Sequence, residues 1–227
     1  MNNTPPPEFD TYADSYEADL KSSLPSGLYE DKYFAEYKIQ FMANRLHDSS
    51  PARILDFGCG IGRSLGLLQE RYPLSDVCGF DVSEASLKFA RNTLSRLQLT
   101  SDLEDFQPSS FNVIFTANVF HHIPPNERLQ ALTKCKYLLK EGGSIFLFEH
   151  NPFNPLTRLV FERCVFDKDA EMLRKSEVFD MAKAIGLRVK RADYTLFFPK
   201  QLAFFRPSEK LLSWLPLGAQ YCVEMEK

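Results

Sequence analysis

The chain has 227 residues, 44% of them apolar and 25% charged, with a formal net charge of −3. That length suits one sizeable α/β domain and is short for two, and the acidic balance argues against a general nucleic-acid-binding surface. No apolar run approaches the roughly 20 residues that span a bilayer. The segment Thr4-Pro5-Pro6-Pro7-Glu8 is no secretory hydrophobic region, and five scattered cysteines without CxxC spacing suit reduced thiols in a cytoplasm.

Residues 1–8 read as disordered. Residues 9–50 read as a helical cap, with Phe9, Tyr12 and Tyr16 at helical spacing and a second helical segment from Leu28 to Leu46. His47 reads as a surface residue of that cap. Pro51 precedes a buried strand, Ile54–Phe57, and a glycine turn follows it. A second strand, Val77–Phe80, ends at Asp81; Ser83 is a good N-cap for the periodic segment Ala85, Leu87, Phe89, Ala90 and Leu94. A weak third strand falls at Leu97–Thr100 and ends near Asp102, and Val113–Ala117 is a clear fourth. Pro124 and Pro125 open a helix through Leu138 that Glu141-Gly142-Gly143 closes, and Ser144–Phe148 is the fifth strand. Beyond it come Ser176–Ile185 as a helix capped by Gly186, Leu187–Thr195 as a strand, an aromatic stretch over 197–216, and Gln220–Glu226 as a final antiparallel strand.

Continuous apolar strands alternating with helices mean a sheet covered on both faces. The expected fold is α/β, a Rossmann-like doubly wound sheet of seven strands, mostly parallel with an antiparallel last strand and helices on both faces. One domain is expected over 9–227, divided into the cap, a ligand half at 51–149, and a far side at 150–227 with insertions at 151–175 and 197–216. Ligands in such sheets bind beyond the carboxyl ends of the strands, so every strand-ending residue is a site candidate.

The richest stretch is Leu55-Asp56-Phe57-Gly58-Cys59-Gly60-Ile61-Gly62. Its GxGxG spacing differs from the GxGxxG of dinucleotide folds, and Asp56 adds negative charge where a pyrophosphate would sit. A ligand carrying an ammonium group is favoured there instead. This stretch is similar to the first motif of class I S-adenosylmethionine-dependent methyltransferases. Gly79-Phe80-Asp81-Val82-Ser83 resembles their second-strand motif; Ser110-Phe111-Asn112-Val113-Ile114 with Asn118-Val119-Phe120-His121-His122-Ile123 resembles their fourth; and Leu139-Lys140-Glu141-Gly142-Gly143 resembles the turn before their fifth strand. Asn112 stands where many relatives carry Asp. The resemblance runs from about residue 53 to 149. It implies that Gly58, Gly60 and Gly62 let the backbone approach the amino-acid part of S-adenosylmethionine, with Asp56 near its ammonium. It implies that Asp81 accepts from both ribose hydroxyls, that Val82 packs on the adenine, and that Asp102 and Leu103 meet the adenine edge. Asn118 would line the methionine side, and Tyr16 or Tyr12 would close over the cofactor.

On the acceptor side, His121, His122 and His150 follow strands four and five. Histidine titrates near working pH and is a natural proton acceptor. His150 is the candidate base, with Glu149 as its partner or as a group orienting the acceptor, and His121 as a further candidate. A metal site is not expected, because the spacing lacks a ligand pattern. The two Asn-Pro steps in Asn151-Pro152-Phe153-Asn154-Pro155 force extended or turn backbone. With Arg163, Phe166 and Asp167 they suggest a lid, and Arg158 is a candidate for a substrate carboxylate or phosphate. The stretch 197–217 reads as pocket wall or packing, with a dimer face or a membrane contact as the other options; its cations Lys200, Arg206 and Lys210 are few for a membrane helix.

The activity expected is methyl transfer from S-adenosylmethionine, yielding S-adenosylhomocysteine, to a small acceptor with an apolar or acidic part, oxygen being slightly favoured. No tetrapeptide of the Asn-Pro-Pro-aromatic kind follows the fourth strand, which disfavours amino-group methylation. The alternatives are a non-catalytic S-adenosylmethionine-binding scaffold and, below it, a nicotinamide oxidoreductase. A monomer or homodimer is expected, with neither nucleic acid nor integral membrane association.

Overall fold

A computed structural model describes residues 31–46, 50–164 and 167–227. Tyr12, Tyr16 and His47 lie outside the described residues, as does Phe166.

In chain order the elements are α1 (Asp31–Arg45), β1 (Arg53–Phe57), α2 (Arg63–Arg71), β2 (Asp76–Phe80), α3 (Glu84–Thr93), β3 (Gln98–Thr100), β4 (Phe111–Ala117), α4 (Pro125–Leu138), β5 (Leu139–His150), α5 (Pro155–Arg163), α6 (Lys175–Ala184), β6 (Arg188–Thr195), α7 (Glu209–Leu212) and β7 (Gln220–Glu226). Short 3-10 segments occupy Leu103–Asp105, Phe120–His122 and Lys200–Ser208. One seven-stranded sheet has the order β3-β2-β1-β4-β5-β7-β6. Pairs from β3 to β5 are parallel, and β7 runs antiparallel between β5 and β6. The chain leaves β1 in one direction through β2 and β3, and returns to its other side through β4 and β5. That reversal opens a crevice at the carboxyl ends of β1 and β4.

Two apolar layers explain the continuous runs. Side chains alternate across a strand, so Leu55, Ile114, Ile145 and Leu147 face a layer with Leu132 and Cys135 of α4 and Val178 of α6. Ile54, Val113, Phe115, Phe146 and Phe148 face the opposite layer, with Met42 of α1, Leu65 and Leu68 of α2, and Leu87 of α3. Local chemistry sets the helix ends. Ser83 accepts from the Ser86 N–H at 3.1 Å, Asn154 accepts from the Thr157 N–H at 3.0 Å, and Gly186 follows α6 at φ +71°.

The expected turn at Glu141-Gly142-Gly143 is corrected. The helix ends at Leu138 and the triplet lies within β5, where the pairing jumps from Phe111↔Leu139 to Val113↔Ser144. A bulge with Gly142 at φ +71° absorbs the extra residues.

Candidate active site

The turn after β1 is tied to the end of β2. The Gly58 and Cys59 N–H groups both donate to the Phe80 carbonyl, at 2.7 and 2.9 Å. Gly58 sits at φ +79°, and a Cβ added there would lie 2.4 Å from Val119 Cγ2. This glycine lets the β1 turn and the loop after β4 close on each other. Gly60, at φ +51°, would place a Cβ in open space. Gly62 lies beneath α3, where a Cβ would meet Leu94 Cδ1 at 2.8 Å, and it does not border the cavity described next.

That cavity, of about 590 Å³, opens at the carboxyl ends of β1, β2, β4 and β5. It is well within the usual range for a small-molecule site, roughly 300–1,000 Å³. Gly58, Gly60, Asp81, Val82 and Asn118 border it, as do His121, His122 and His150. Asp81 is pinned from both sides: its Oδ2 accepts from the Gly60 N–H at 2.7 Å and its Oδ1 from the Ser83 N–H at 2.9 Å. Each carboxylate oxygen has a second acceptor position, so the group is oriented and still able to accept from a ligand. Val82 is 60% exposed beside it. Asn118 is a non-glycine residue at φ +59° that ends β4, and its Oδ1 is buried without a hydrogen-bond partner. Asparagine is among the few side chains that take this left-handed backbone readily, and Oδ1 is left available to a hydrogen-bond donor.

Asp56 stands behind the cavity wall, almost fully buried, with Oδ2 unpartnered. Burial and the charge of Asp81 push its carboxyl up to about 8, against the pull of Lys38. It does not border the cavity. Asp102 and Leu103 do not border the cavity. The Asp102 carboxylate instead caps its own 3-10 segment, accepting from the Glu104 N–H at 3.0 Å, and Leu103 packs on the core.

The acceptor end is a cluster of imidazoles and carboxylates. Glu149 Oε1 accepts from the Val119 and Phe120 N–H groups at 3.0 and 2.7 Å, and Glu149 Oε2 lies 2.6 Å from His121 Nδ1. His121 Nε2 lies 3.3 Å from Asp167 Oδ1, and His122 Nε2 is 3.5 Å from the same oxygen. The His150 ring is centred 5.0 Å from that of His121. Burial alone would push His121 down; the carboxylates of Glu149 and Asp167 overcome it and raise the group to about 9. Burial and then His121 push His150 down to about 4, so its imidazole is neutral at pH 7.

Two acceptor-side expectations are corrected. Glu149 does not border the cavity and does not face an acceptor; its carboxylate is consumed by two backbone donors and by His121, because neighbours along a strand point to opposite faces. Arg158 borders an outer groove with Phe153, Pro155, Leu159 and Glu162. It lies 4.0 Å from Glu162, one helical turn away, and is turned from the cavity. The aromatic stretch divides. Phe197, Phe198 and Pro199 wall the cavity, whereas Phe204, Leu211 and Trp214 are 88%, 76% and 73% exposed. Sequence reasoning missed Lys38, which reaches the cavity from α1, and Arg63, which borders it at the start of α2. Neither carries a motif. Asp167 entered the sequence reading only as part of a lid, and nothing there tied it to the histidines.

Residues 54–143 match the family model described as a methyltransferase domain. A methyltransferase of uncharacterised specificity from Geobacillus sp. is 29% identical over 164 residues, covering 69% of this chain and 71% of the relative. Trans-aconitate 2-methyltransferase from Acidovorax sp. is 39% identical over 75 residues, one third of this chain and 29% of that enzyme. The chain therefore spans less than a third of that relative's length. A Thermotoga maritima structure, described as an S-adenosylmethionine-dependent methyltransferase and possible histamine N-methyltransferase, superposes with TM-score 0.67 at 19% identity, covering 96% of this chain and 98% of that one; that likeness is one of fold. Residues 54–143 thus carry a methyltransferase domain, and the relatives in sequence and in fold are methyltransferases, the Thermotoga one described as S-adenosylmethionine-dependent. The cavity suits S-adenosylmethionine: a pinned carboxylate for a diol, an open glycine turn, and an orphaned amide oxygen for an N–H donor. Among the described residues no helix is long and apolar enough to cross a membrane.

Proposed function

We propose that the enzyme methylates a small, largely apolar acceptor, with oxygen as the favoured target. The observation that carries this is the cavity itself. The β1 and β2 ends contribute Gly60, Asp81 and Val82, the β4 and β5 side contributes three histidines, and Leu156, Val160, Phe161, Phe197 and Phe198 supply apolar wall.

When bound, S-adenosylmethionine supplies an electrophilic methyl group on a good leaving group. The protein's part is chiefly positioning, which is worth about 7–11 kcal/mol where geometry is well set. Asp81 holds the ribose diol, Val82 covers the adenine, and the Gly58–Gly60 backbone receives the amino-acid portion beside Asn118, with Asp56 behind the wall, where the arriving ammonium favours ionisation of its otherwise protonated carboxyl. Gly62 supports this by letting α3 pack under the turn. Tyr16, from the chain ahead of α1, is retained as the group that closes over the cofactor. His150 takes the acceptor proton; His121, held by Glu149 and Asp167, fixes the floor on which that happens. The five free cysteines suit a cytoplasmic location. A monomer or homodimer acting without nucleic acid completes the reading.

The test is transfer of labelled methyl from S-adenosylmethionine to a panel of apolar alcohols, phenols, carboxylic acids and amines, followed in the organic phase. The reading expects label on oxygen acceptors and a His150→Ala enzyme that binds S-adenosylhomocysteine normally with kcat lowered by roughly 10²–10⁴. Cofactor binding with no transfer to any acceptor would favour the scaffold reading.

A further inference from the structure

The same acceptor end holds two carboxylates and three imidazoles, with Glu149 and His121 almost fully buried. Side-chain exposure is 1% for Glu149, 1% for His121, 10% for Asp167 and 19% for His122. Buried charges require close compensation. We propose that His121, His150 and Asp167 form a binding site for one divalent first-row transition-metal ion, zinc being the reference case.

Three observations carry it. The donor atoms of these three residues all lie within 4.8 Å of one another, and His121 Nε2 is already 3.3 Å from Asp167 Oδ1. Ligands about 2.0–2.2 Å from a tetrahedral zinc stand roughly 3.4 Å apart, so closing the cluster takes side-chain movements of about an ångström. Second, the far nitrogen of His121 is held by a carboxylate, Nδ1 lying 2.6 Å from Glu149 Oε2. Metal-ligating histidines characteristically have this outer partner, which fixes the tautomer and turns the other nitrogen toward the ion. Third, an ion taking Nε2 of His121 displaces the proton that now compensates the pair, and its two positive charges balance Glu149 and Asp167 together. Two imidazoles and one carboxylate suit zinc and its neighbours better than magnesium or calcium.

All three ligands border the cavity, so a fourth coordination position faces the acceptor, with His122 alongside. This deepens the methyl-transfer reading and rests on it for the acceptor. In the metal-bound form His150 is a ligand in place of the proton acceptor, and an acceptor hydroxyl at the open position loses its proton to solvent more readily. Its oxygen then forms the bond to the methyl carbon while the carbon–sulfur bond breaks and sulfur keeps the electron pair.

The test uses the full chain, free of any polyhistidine tag and stripped with chelator, titrated with cobalt(II) and followed by its visible absorption, while S-adenosylhomocysteine binding is measured calorimetrically on the same samples. The expected result is one cobalt per chain, displaced by zinc. Affinity should fall at least 100-fold in Asp167→Asn and in His150→Ala, and 10- to 100-fold in Glu149→Gln. Asp167→Asn replaces a partly exposed group, and retained S-adenosylhomocysteine affinity certifies its fold. Absence of saturable cobalt binding, or binding unchanged in Asp167→Asn, overturns the metal site and leaves the methyl-transfer reading standing. Saturable cobalt binding lost in Asp167→Asn, in a chain with no affinity for S-adenosylhomocysteine, supports the site and strikes the reading instead.

Discussion

Gly58 and Gly60 occupy one turn, yet alanine should harm the protein in different ways at the two positions. At Gly58 the backbone is left-handed, which opposes a side chain by about 1–2 kcal/mol, and the new Cβ would lie 2.4 and 2.6 Å from the two methyl carbons of Val119. Overpacking of that kind adds about 1–3 kcal/mol. Gly58→Ala should therefore destabilise by about 2–5 kcal/mol, lowering the melting temperature by roughly 4–20 °C in a chain of this size. Gly60→Ala carries the left-handed term alone, because its Cβ meets nothing; stability should fall by about 1–2 kcal/mol. Its methyl group faces the turn's open side, so S-adenosylhomocysteine affinity should drop about tenfold or more, by calorimetry. Adding Val119→Ala to Gly58→Ala should recover about 1–3 kcal/mol relative to the sum of the single variants. Equal melting temperatures for Gly58→Ala and Gly60→Ala, or a Val119→Ala change that relieves nothing, would refute the reasoning.

Asp81→Ala removes the acceptor of the Gly60 and Ser83 N–H groups and of the proposed diol bonds; S-adenosylhomocysteine affinity should fall about 100-fold or more, and retained affinity in calorimetry would rule out the ribose role. Asp56 has a raised value in the folded protein, about 8, so the folded state keeps a proton that the unfolded chain releases above its ordinary value near 4. That contribution to stability is full at low pH and is lost as pH climbs from about 4 to about 8, by at most about 1.4 kcal/mol per pH unit. In urea titrations across that window Asp56→Asn should show less decline than the wild type; parallel curves would contradict the assignment. Glu149→Gln leaves His121 facing an amide and weakens the hold on the Val119 and Phe120 N–H groups. It should destabilise by about 3 kcal/mol or more in urea unfolding at pH 7, and an unchanged midpoint would argue against the buried pair.

How much of this could be read from sequence follows from where the forces are local. The β1 turn, Asp81 and Asn118 were legible because apolar strands, terminal acids and glycines sit in order along a few residues. The Ser83 cap and the Gly186 terminus were legible for the same reason. Glu149 misled because adjacency in sequence suggested a pair with His150, while strand alternation sends the two side chains apart and gives Glu149 to His121. Asp102 caps its own 3-10 segment and stands outside the cavity lining. The β5 bulge was invisible because a Glu-Gly-Gly triplet has the composition of a turn. Lys38 and Asp167 enter the cavity from elements that tertiary packing alone brings there.

The central claim is that the β1–β2 crevice binds S-adenosylmethionine. Calorimetric titration of the purified chain with S-adenosylhomocysteine, and separately with NAD, tests it most directly. The expected result is a saturable one-to-one heat with S-adenosylhomocysteine, weakened about 100-fold or more in Asp81→Ala, and none with NAD. Saturable binding of NAD with no response to S-adenosylhomocysteine would contradict it.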